Sequence, residues 1–438
     1  MTAAPNKIDI KPWMTDTKLK GVLSAITKNG KEVRFIGGCV RNHLLKQPVH
    51  DIDIATQELP ARVIQLLNQE GIKAVPTGIE HGTVMAVVQC KTFEITTLRR
   101  DIRTDGRHAI VEFTEDWEQD AARRDFTVNA LSVDLEGNLF DYFNGRQDLE
   151  SQILRFVGHA PDRIKEDQLR ILRYFRIIGT LGLNIGDQKE LDACIDQASA
   201  LKRLSGERIR SELFKILSSK MKNNIIPIMY ENGILNLILP YVTSPARLQE
   251  LSQIEDYTQN TKQIMPDPIR RLSSLIEADA SGVAEVTDAL KLSKNEHNRL
   301  TNIKTNTVAI FWNMPNHKLQ SAIFKLGNTT VIDLALHNWA NMLISSPKSR
   351  KEIEDGWLQI ISTTQEQQNQ ELLLPIRGQD VLNLGIPPSY QISQLLKQVE
   401  EWWLKNSCTP DRKACLRKME SLVNFRSDRI EESELSKK

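Results

Sequence analysis

Two aspartates, Asp51 and Asp53, stand one residue apart in the segment HDIDIAT. On a β-strand, residues i and i+2 point to the same face, so we expect the two carboxylates side by side, with Ile52 and Ile54 facing the core. Like charges this close stay ionised when a divalent cation lies between them. Oxygen-only ligands suit Mg²⁺, so the pair predicts a magnesium site that promotes in-line displacement at phosphorus. A solvated strand edge is the alternative.

A strand that ends in two glycines precedes the aspartates. KEVRFIGG ends at Gly37 and Gly38, and CVRNHLL after it predicts a short helix. Such a turn presents main-chain N–H groups to an anion. Arg41, one turn into the helix, carries a guanidinium that can bind a phosphate through two parallel hydrogen bonds. An ordinary strand-to-helix turn is the alternative, but the combination with the acidic strand favours nucleotide binding.

A second charged pair lies in EDQLRILRYFRI, residues 166–177, which predicts one continuous helix. Asp167 and Arg170 are three apart and therefore share a face. A carboxylate only accepts hydrogen bonds and a guanidinium only donates them. Cytosine and adenine each present an amino donor beside a ring-nitrogen acceptor, so the pair complements these two bases, and mispaired polar groups discriminate by factors up to roughly 10⁴. A simple i,i+3 salt bridge is the alternative.

The string GGCVRNHLLKQPVHDIDIAT resembles the signature of class II CCA-adding enzymes and bacterial poly(A) polymerases, which are nucleotidyltransferases of the polymerase-beta type. Two positions differ, because Asn42 stands where the family has Asp and Lys46 where it has Gly. The resemblance implies Asp51 and Asp53 as catalytic Mg²⁺ ligands. It also implies a set of nucleotide-binding residues: Gly37, Gly38, Arg41, Arg124, Asp125, Asn129, Asp167, Arg170, Arg173 and Arg176.

Three further segments extend the resemblance. RRDFTVNAL is similar to the ribose-recognition motif, in which Arg124 would contact phosphate or sugar and Asp125 would accept from a ribose 2′-OH. TDGRH is similar to a flexible loop linked to the change from C to A addition, with Asp105 and Arg107 as its polar members. Glu94 stands where a third carboxylate could approach the metal, or where a strand simply carries a surface glutamate.

The elements that must position these residues change in type along the chain. Strand patterns alternate with helices up to about residue 150, and helical spacing of apolar residues dominates afterwards. We therefore predict an α+β fold with a small nucleotidyltransferase head, containing a mixed sheet, followed by an elongated all-α region. The predicted divisions are an N-terminal extension (1–20), the head (21–151), a helical neck that recognises the base (152–217), a helical body (218–340) and a helical tail that binds tRNA (341–438).

Composition sets limits on the environment. The 438 residues carry a formal net charge of +1, so no global positive field indicates a nucleic-acid partner, although a local basic groove remains compatible with that total. The apolar runs are shorter than a membrane span requires, and the first 20 residues lack the apolar core of a signal peptide. The five cysteines are odd in number and lack metal-type spacing, which favours reduced thiols in the cytoplasm.

Together, the residues and the resemblance imply template-independent addition of CCA to tRNA 3′ ends. CTP and ATP would be the substrates, and pyrophosphate would be released. The alternatives are a poly(A) polymerase, a tRNA nucleotidyltransferase that adds only A, and a noncatalytic protein that binds RNA or nucleotides.

Overall fold

The structure is a computed structural model of the 438-residue chain. It describes residues 6–105, 108–185, 188–220, 222–345, 350–367, 373–384 and 390–435. The chain divides into two compact units, Met1–Ile238 and Leu239–Lys438. Among the described residues, no helix combines the length and apolar character required to cross a lipid bilayer.

All described strands lie in the first unit. They are β1 (Asn6–Lys7), β2 (Val33–Ile36), β3 (Asp53–Thr56), β4 (Lys73–Gly78), β5 (Thr83–Val88), β6 (Lys91–Thr97), β7 (Arg99–Asp105), β8 (His108–Phe113), β9 (Ser132–Val133) and β10 (Asn138–Phe140). Eight of them form a sheet in the order β1-β10-β9-β2-β3-β6-β5-β4, in which β3 and β6 are parallel and the other neighbours are antiparallel. Strands β7 and β8 form a separate antiparallel pair.

Helices make up most of the remaining chain. In the first unit they are α1 (Thr17–Ile26), α2 (Gly38–Leu44), α3 (Pro60–Gln69), α4 (Trp117–Ala122), α5 (Gly145–Glu150), α6 (Ala160–Glu166), α7 (Leu169–Leu181), α8 (Gln188–Asp196), α9 (Gly206–Ser218), α10 (Lys222–Glu231) and α11 (Ile234–Ile238). Short 3₁₀ helices cover Pro12–Thr15, Ile79–His81, Thr127–Asn129 and Ala198–Arg203.

The described residues of the second unit form helices joined by loops, with no strand. Its helices are α12 (Ala246–Lys262), α13 (Pro268–Leu275), α14 (Ala280–Leu290), α15 (Lys294–Thr305), α16 (Asn316–Leu326), α17 (Asn328–Ser345), α18 (Arg350–Glu366), α19 (Gly378–Leu382), α20 (Tyr390–Lys405) and α21 (Arg412–Leu435). The predicted α+β class, a mixed-sheet head followed by helices, is confirmed. The predicted domain limits at residues 20, 151, 217 and 340 remain predictions, although β1 already pairs with β10 of the head sheet.

Apolar side chains explain where the sheet and helices meet. All four residues of β2 are buried, and Ile54 and Ala55 of β3 are 0 and 1 % exposed. In the second unit, one cluster around Trp339 and Trp357 joins α12, α16, α17 and α18, and a second cluster around Val399 and Trp403 joins α19, α20 and α21. Burial of these side chains provides the main stabilisation of each unit.

One predicted element differs from the structure. The continuous helix predicted over residues 166–177 is interrupted, because α6 ends at Glu166 and α7 begins at Leu169. Asp167 between them is extended, with φ −150° and ψ 107°. Its Oδ1 accepts a hydrogen bond from the Leu169 main-chain N–H at 3.1 Å, as an N-terminal capping residue does. A side chain at such a junction points independently of the helix face.

Candidate active site

The diglycine bend lies at the end of β2 and has the geometry that only glycine adopts readily. Gly37 has φ 69° and ψ −120°, and its N–H donates to the Leu131 carbonyl at 3.0 Å. A Cβ at this position would lie 3.5 Å from Nη1 of Arg124 and 3.6 Å from the carbonyl oxygen of Asn129. Gly38 then begins α2. The bend therefore brings the chain close to the ribose-type motif that the sequence indicated.

The acidic pair lies beside that bend. Strands β2 and β3 are antiparallel with Phe35 opposite Ile54, so the end of β2 neighbours the start of β3 at Asp53. Burial alternates as predicted, with Asp51 exposed, Asp53 half-buried and the intervening isoleucines buried. Asp51 itself precedes the strand. Gly38 of the bend and Asp51 are 13 residues apart in sequence. The antiparallel pairing brings the bend and the two carboxylates together where β2 ends and β3 begins.

Glu94 stands next to Asp53 on the neighbouring strand. The parallel register of β3 and β6 pairs these two residues directly. Burial raises the pKa of Glu94, and the charge of Asp53 raises it further. Burial also raises the pKa of Asp53; the charge of Asp51 adds to this rise, whereas Arg124 and Arg41 oppose it. Three carboxylates therefore lie where their negative charges disfavour one another.

The carboxylates fit a divalent cation by their chemistry. Among the described residues, Asp51, Asp53 and Glu94 take part in no ion pair with a lysine, arginine or histidine. The described residues also contain no cluster of three or more His, Cys, Asp or Glu that could hold a metal ion alone. Mg²⁺ typically takes one or two carboxylates together with substrate phosphates and water. The residue set is therefore suited to an ion that arrives with a phosphorylated ligand.

A chain of hydrogen bonds connects the bend helix to α7. Nη1 of Arg41 donates to Oδ1 of Asn129, and the Asn129 amide donates to Oδ1 of Asp125 at 3.0 Å. Arg173 donates to Oδ2 of Asp125 through Nε at 2.7 Å and through Nη2. Burial opposes ionisation of Asp125, but the charge of Arg173 and these hydrogen bonds outweigh it and hold its pKa below the usual value.

Asp125 uses its full capacity as an acceptor in this arrangement. Its Oδ1 accepts from Asn129 and from the Phe126 main-chain N–H at 2.9 Å, and its Oδ2 accepts twice from Arg173. Two carboxylate oxygens offer about four lone-pair sites. A new donor can reach Asp125 only when one of these partners leaves, and Arg173, with 35 % of its side chain exposed, is the most accessible.

The two positions that differ from the family pattern keep the turn in place. The Asn42 carbonyl oxygen accepts from Arg41 Nε at 3.2 Å and Nη2 at 3.0 Å, while its amide donates to the Pro48 carbonyl at 3.2 Å. An ionised aspartate could make the first contact but not the second. Lys46 has φ 54°, in the left-handed region that glycine favours. The backbone thus retains the turn at a conformational cost for the lysine.

Arginines give the region an excess of positive charge. Arg124 donates to Oδ2 of Asp120 at 3.0 Å, and Nε of Arg176 lies 2.6 Å from Oε2 of the buried Glu212 on α9. Burial, followed by the charge of Arg176, lowers the pKa of Arg41 to about 10. Groups of the same sign held this close favour an anionic ligand between them.

Asp167 and Arg170 both line a cavity in the first unit, but they are not paired with each other. Both oxygens of Asp167 accept from Nη2 of Arg208, at 3.0 and 2.8 Å. Arg170 donates through Nη1 to the Arg163 carbonyl at 2.7 Å and to Glu166 at 2.5 Å, and through Nη2 to the Arg123 carbonyl at 3.1 Å. The simple i,i+3 salt bridge is therefore wrong for this pair.

The cavity has a volume of about 380 Å³, which is within the range of small-molecule sites. The side chains that line it are mostly charged. Its arginines are Arg99, Arg123, Arg124, Arg170, Arg173 and Arg208, and its carboxylates are Asp101, Asp125, Glu166 and Asp167. Arg124 connects this cavity with the acidic pair, because it also acts on the charge of Asp53.

Several lining residues were missed by sequence reasoning. Arg208 and Glu166 are absent from the predicted site residues, although Glu166 begins the helix predicted over residues 166–177. A signal for Glu166 was its adjacency to Asp167. Arg208 is 41 residues from Asp167, so no local pattern could have paired them. Arg99, whose burial lowers its pKa to about 10, gave no signal beyond its charge.

The predicted flexible loop, TDGRH, is described only in part. Asp105 is the last residue of β7 and pairs in register with His108 of β8. Arg107 lies outside the described residues. The two strands therefore form a hairpin whose first residue, Arg99, lines the cavity.

Comparisons with known families match two segments of the chain. Residues 33–155 match the poly A polymerase head domain, and residues 187–244 match the probable RNA and SrmB-binding site of polymerase A. The first match contains the bend, the acidic pair and the Asp125 motif.

Curated relatives and a solved structure extend the similarity. The CCA tRNA nucleotidyltransferase 1, mitochondrial, of Homo sapiens is 35 % identical over 399 residues, covering 89 % of this chain and 86 % of the relative. The CCA-adding enzyme of Streptococcus gordonii is 38 % identical over 236 residues, covering 53 % and 58 %. The Bacillus stearothermophilus CCA-adding enzyme in complex with CTP has the same fold, with a TM-score of 0.72 and 22 % identity over 96 % of this chain and 100 % of that one.

Proposed function

This chain belongs to the CCA tRNA nucleotidyltransferase family, and from that premise we propose that it adds C, C and A to the 3′ end of tRNA. CTP and ATP are the proposed substrates. In each step the terminal 3′ hydroxyl attacks the α-phosphorus, a new phosphodiester bond forms, and the bond to the pyrophosphate leaving group breaks. Relatives of this chain carry the names CCA tRNA nucleotidyltransferase and CCA-adding enzyme, which supports the proposal.

The observation that carries the proposal is the separate anchoring of Asp167 and Arg170. Oδ1 of Asp167 accepts from Leu169 and Arg208, whereas Oδ2 accepts only from Arg208 in the described structure. Arg170 donates three of its five N–H groups to protein acceptors. One acceptor and two donors thus remain for a ligand, which is the complement of the amino group and ring nitrogen of cytosine or adenine.

The phosphates of the incoming nucleotide would bind to the arginine cluster. Arg41, Arg124, Arg173 and Arg176 are the proposed ligands, together with the main chain at Gly37 and Gly38. Arg124 suits this role because it lies against the bend while Asp120 fixes its guanidinium. Glu212 orients Arg176 in the same way. Such preorganised donors stabilise the charge that develops on the leaving pyrophosphate.

Asp51 and Asp53 would hold the divalent ion, for which we propose Mg²⁺, with Glu94 as a third carboxylate nearby. A bound ion of this kind lowers the pKa of an attacking hydroxyl and offsets charge on the leaving group. Asp53 is half-buried and lies in register with Glu94, so negative charge is concentrated where β3 begins beside β6. Arg124 and Arg41 oppose the rise in the pKa of Asp53 that its burial causes.

Asp125 would bind the ribose, and the ribose hydroxyl would replace Arg173 as the donor to Oδ2 of Asp125. An incoming triphosphate attracts Arg173, which frees Oδ2 of Asp125 to accept from the 2′-OH that distinguishes a ribonucleotide. Asn129 keeps Oδ1 of Asp125 in place and is itself held by Arg41. For the loop, we propose that Asp105 and Arg107 take part in the change from C to A addition.

RNA contacts are proposed for the helical regions. Residues 187–244, which match a probable RNA-binding region, and the predicted tail over 341–438 would bind the tRNA. A cytoplasmic location remains part of the proposal, since the five cysteines include no disulfide. The human relative is named as mitochondrial, so organelle fractionation is the measurement that tests this location.

One assay tests the proposed function. The protein is incubated with Mg²⁺, tRNA that ends immediately before CCA, and CTP and ATP singly or together. We expect two residues with CTP alone and exactly three with both nucleotides. Long A tracts would instead indicate a poly(A) polymerase, a single A on tRNA ending in CC with no C addition would indicate an A-adding enzyme, and no extension would indicate a noncatalytic protein.

A further inference from the structure

A second cavity, of about 600 Å³, lies in the C-terminal unit. It is bordered by the segment before α16, by one face of α16, and by the C-terminal end of α20. No match to a described family region covers it, because the two matched segments end at residue 244. The residues that line it are all different from those that line the nucleotide cavity of the first unit.

The floor of the cavity is apolar. Val308, Met314, Ala322 and Leu404 contribute to it, and Ala322 and Leu404 are also members of the two hydrophobic clusters of this unit. Phe311 lies at the cavity with 42 % of its surface exposed, whereas phenylalanine is among the residues most often buried. The exposed Phe311 ring beside these apolar side chains provides a surface on which a planar group can stack.

The rim of the cavity is basic. Lys318, Lys325 and Lys405 line it together with His317, and Glu401 is its single carboxylate. Lys318 and Lys325 are seven residues apart on α16, so they lie on one face about 10 Å apart. Nζ of Lys318 lies 5.8 Å from the centroid of the Phe311 ring. Within the described part of the chain, none of the three lysines is in an ion pair.

We infer that this cavity binds RNA, with one nucleobase against Phe311 and the adjoining phosphates at Lys318, Lys325 and Lys405. An exposed aromatic ring between unpaired cations is the pattern that recognises an unstacked base and its backbone. The inference rests on the proposed function, since the tRNA substrate is the RNA concerned. An acidic protein segment would use the cations but would give no reason for the exposed ring.

The test measures binding of tRNA lacking CCA by the full-length protein as a function of salt. In the first variant Lys318, Lys325 and Lys405 are all changed to Gln. Its matched control changes Lys20, Lys73 and Lys294, which are exposed and lie outside both the cavity and the proposed RNA-binding regions, to Gln. A second variant, Phe311→Leu, keeps an apolar side chain and removes the ring.

We expect the cavity variant to lower the slope of log K against log [salt] by roughly 2, since each lost contact with a single-stranded phosphate contributes about 0.7. Phe311→Leu should weaken tRNA binding by roughly tenfold at constant slope, because stacking on an aromatic ring is lost.

Two results would overturn the inference. Equal losses in the cavity and control variants would mean that only general electrostatics is involved. Wild-type tRNA affinity in both cavity variants would mean that the cavity takes another partner, such as an acidic protein segment. Either result leaves the proposed function intact if wild-type protein still adds CCA, whereas absence of addition by the wild-type protein would refute the proposed function alone.

Discussion

Among the described residues, one group of arginines and carboxylates in each unit invites comparison, because the two groups differ in how many of their charges are already paired within the protein. In the first unit, six arginines and four carboxylates line an open cavity. In the second, Arg270, Arg271 and Arg299 surround Glu255 and Asp333, both of which are 0 % exposed. The same residue types therefore form a candidate ligand site in one place and a buried structural network in the other.

The buried network is saturated by its own members. Glu255 accepts from Arg270 at 2.6 Å and from Arg271 at 2.6 Å, while Asp333 accepts from Arg270 at 2.9 Å and Arg299 at 2.6 Å. These contacts connect α12, α13, α15 and α17. In the open cavity, by contrast, Asp167 and Arg170 each keep part of their capacity. Unused hydrogen-bonding capacity facing a cavity, rather than the number of charges, distinguishes a site from a scaffold.

The largest effect is expected at the acidic pair. Asp53→Ala removes a proposed metal ligand, which supplies several kcal/mol of transition-state stabilisation, so addition should fall by at least roughly 10³-fold. Nucleotide binding should persist in part, because the arginines remain. Single-turnover extension and equilibrium binding of CTP separate the two quantities. Asp9→Ala, at an exposed carboxylate, is the control, and full activity in the Asp53 variant would remove the metal assignment.

A large effect on stability is expected in the buried network. Arg270→Met leaves Glu255 and Asp333 each without one partner, and breaking a buried pair costs about 3–5 kcal/mol. The matched change beside the open cavity is Arg124→Met, where Asp120 keeps Arg123 and the Arg99 main-chain N–H, so the loss of one charged hydrogen bond should cost only about 1.5 kcal/mol. Denaturant titration checks both values. Equal losses of stability would erase the distinction between the two groups.

A smaller effect, on selectivity, is expected at the base-reading pair. Asp167→Ala removes the acceptor for the base amino group, so kcat/KM for CTP and ATP should fall by roughly 10–100-fold relative to UTP and GTP. Arg208→Gln keeps the Asp167 carboxylate but removes the guanidinium that holds it in place. This variant should therefore change the selectivity for CTP and ATP over UTP and GTP by a smaller factor. Unchanged selectivity in the Asp167 variant would reject its proposed role.

The smallest effect is expected at Lys46, next to the site but outside it. Lys46→Gly relieves a left-handed backbone at φ 54° while it increases the freedom of the unfolded chain. These opposing contributions leave a net stabilisation of up to about 1 kcal/mol. Thermal denaturation measures it, with Lys20→Gly, at an exposed position of α1 with an ordinary helical backbone, as the control. A loss of stability would mean that the lysine side chain itself holds the turn.

Sequence reasoning reached the parts of the site that depend on local pattern. The diglycine bend, the alternation from Asp51 to Ile54 and the change from mixed sheet to helices follow from spacing along one segment. The extended backbone at Asp167 could not be predicted, because a run of helix-forming residues hides a junction that its own carboxylate caps. Contacts such as Arg208 with Asp167, or α16 with α20, require packing between segments that are distant in sequence.

The chain of contacts from Arg41 through Asn129 and Asp125 to Arg173 has a consequence for discrimination among small molecules. On the proposed roles, the sugar is admitted only after the guanidinium has been drawn away by a negatively charged tail. A free nucleoside would therefore be a poor competitor even with the correct base, and a deoxynucleotide would draw the arginine away yet leave the carboxylate unsatisfied. Tight binding therefore requires both the ribose hydroxyl and the phosphates in the same ligand.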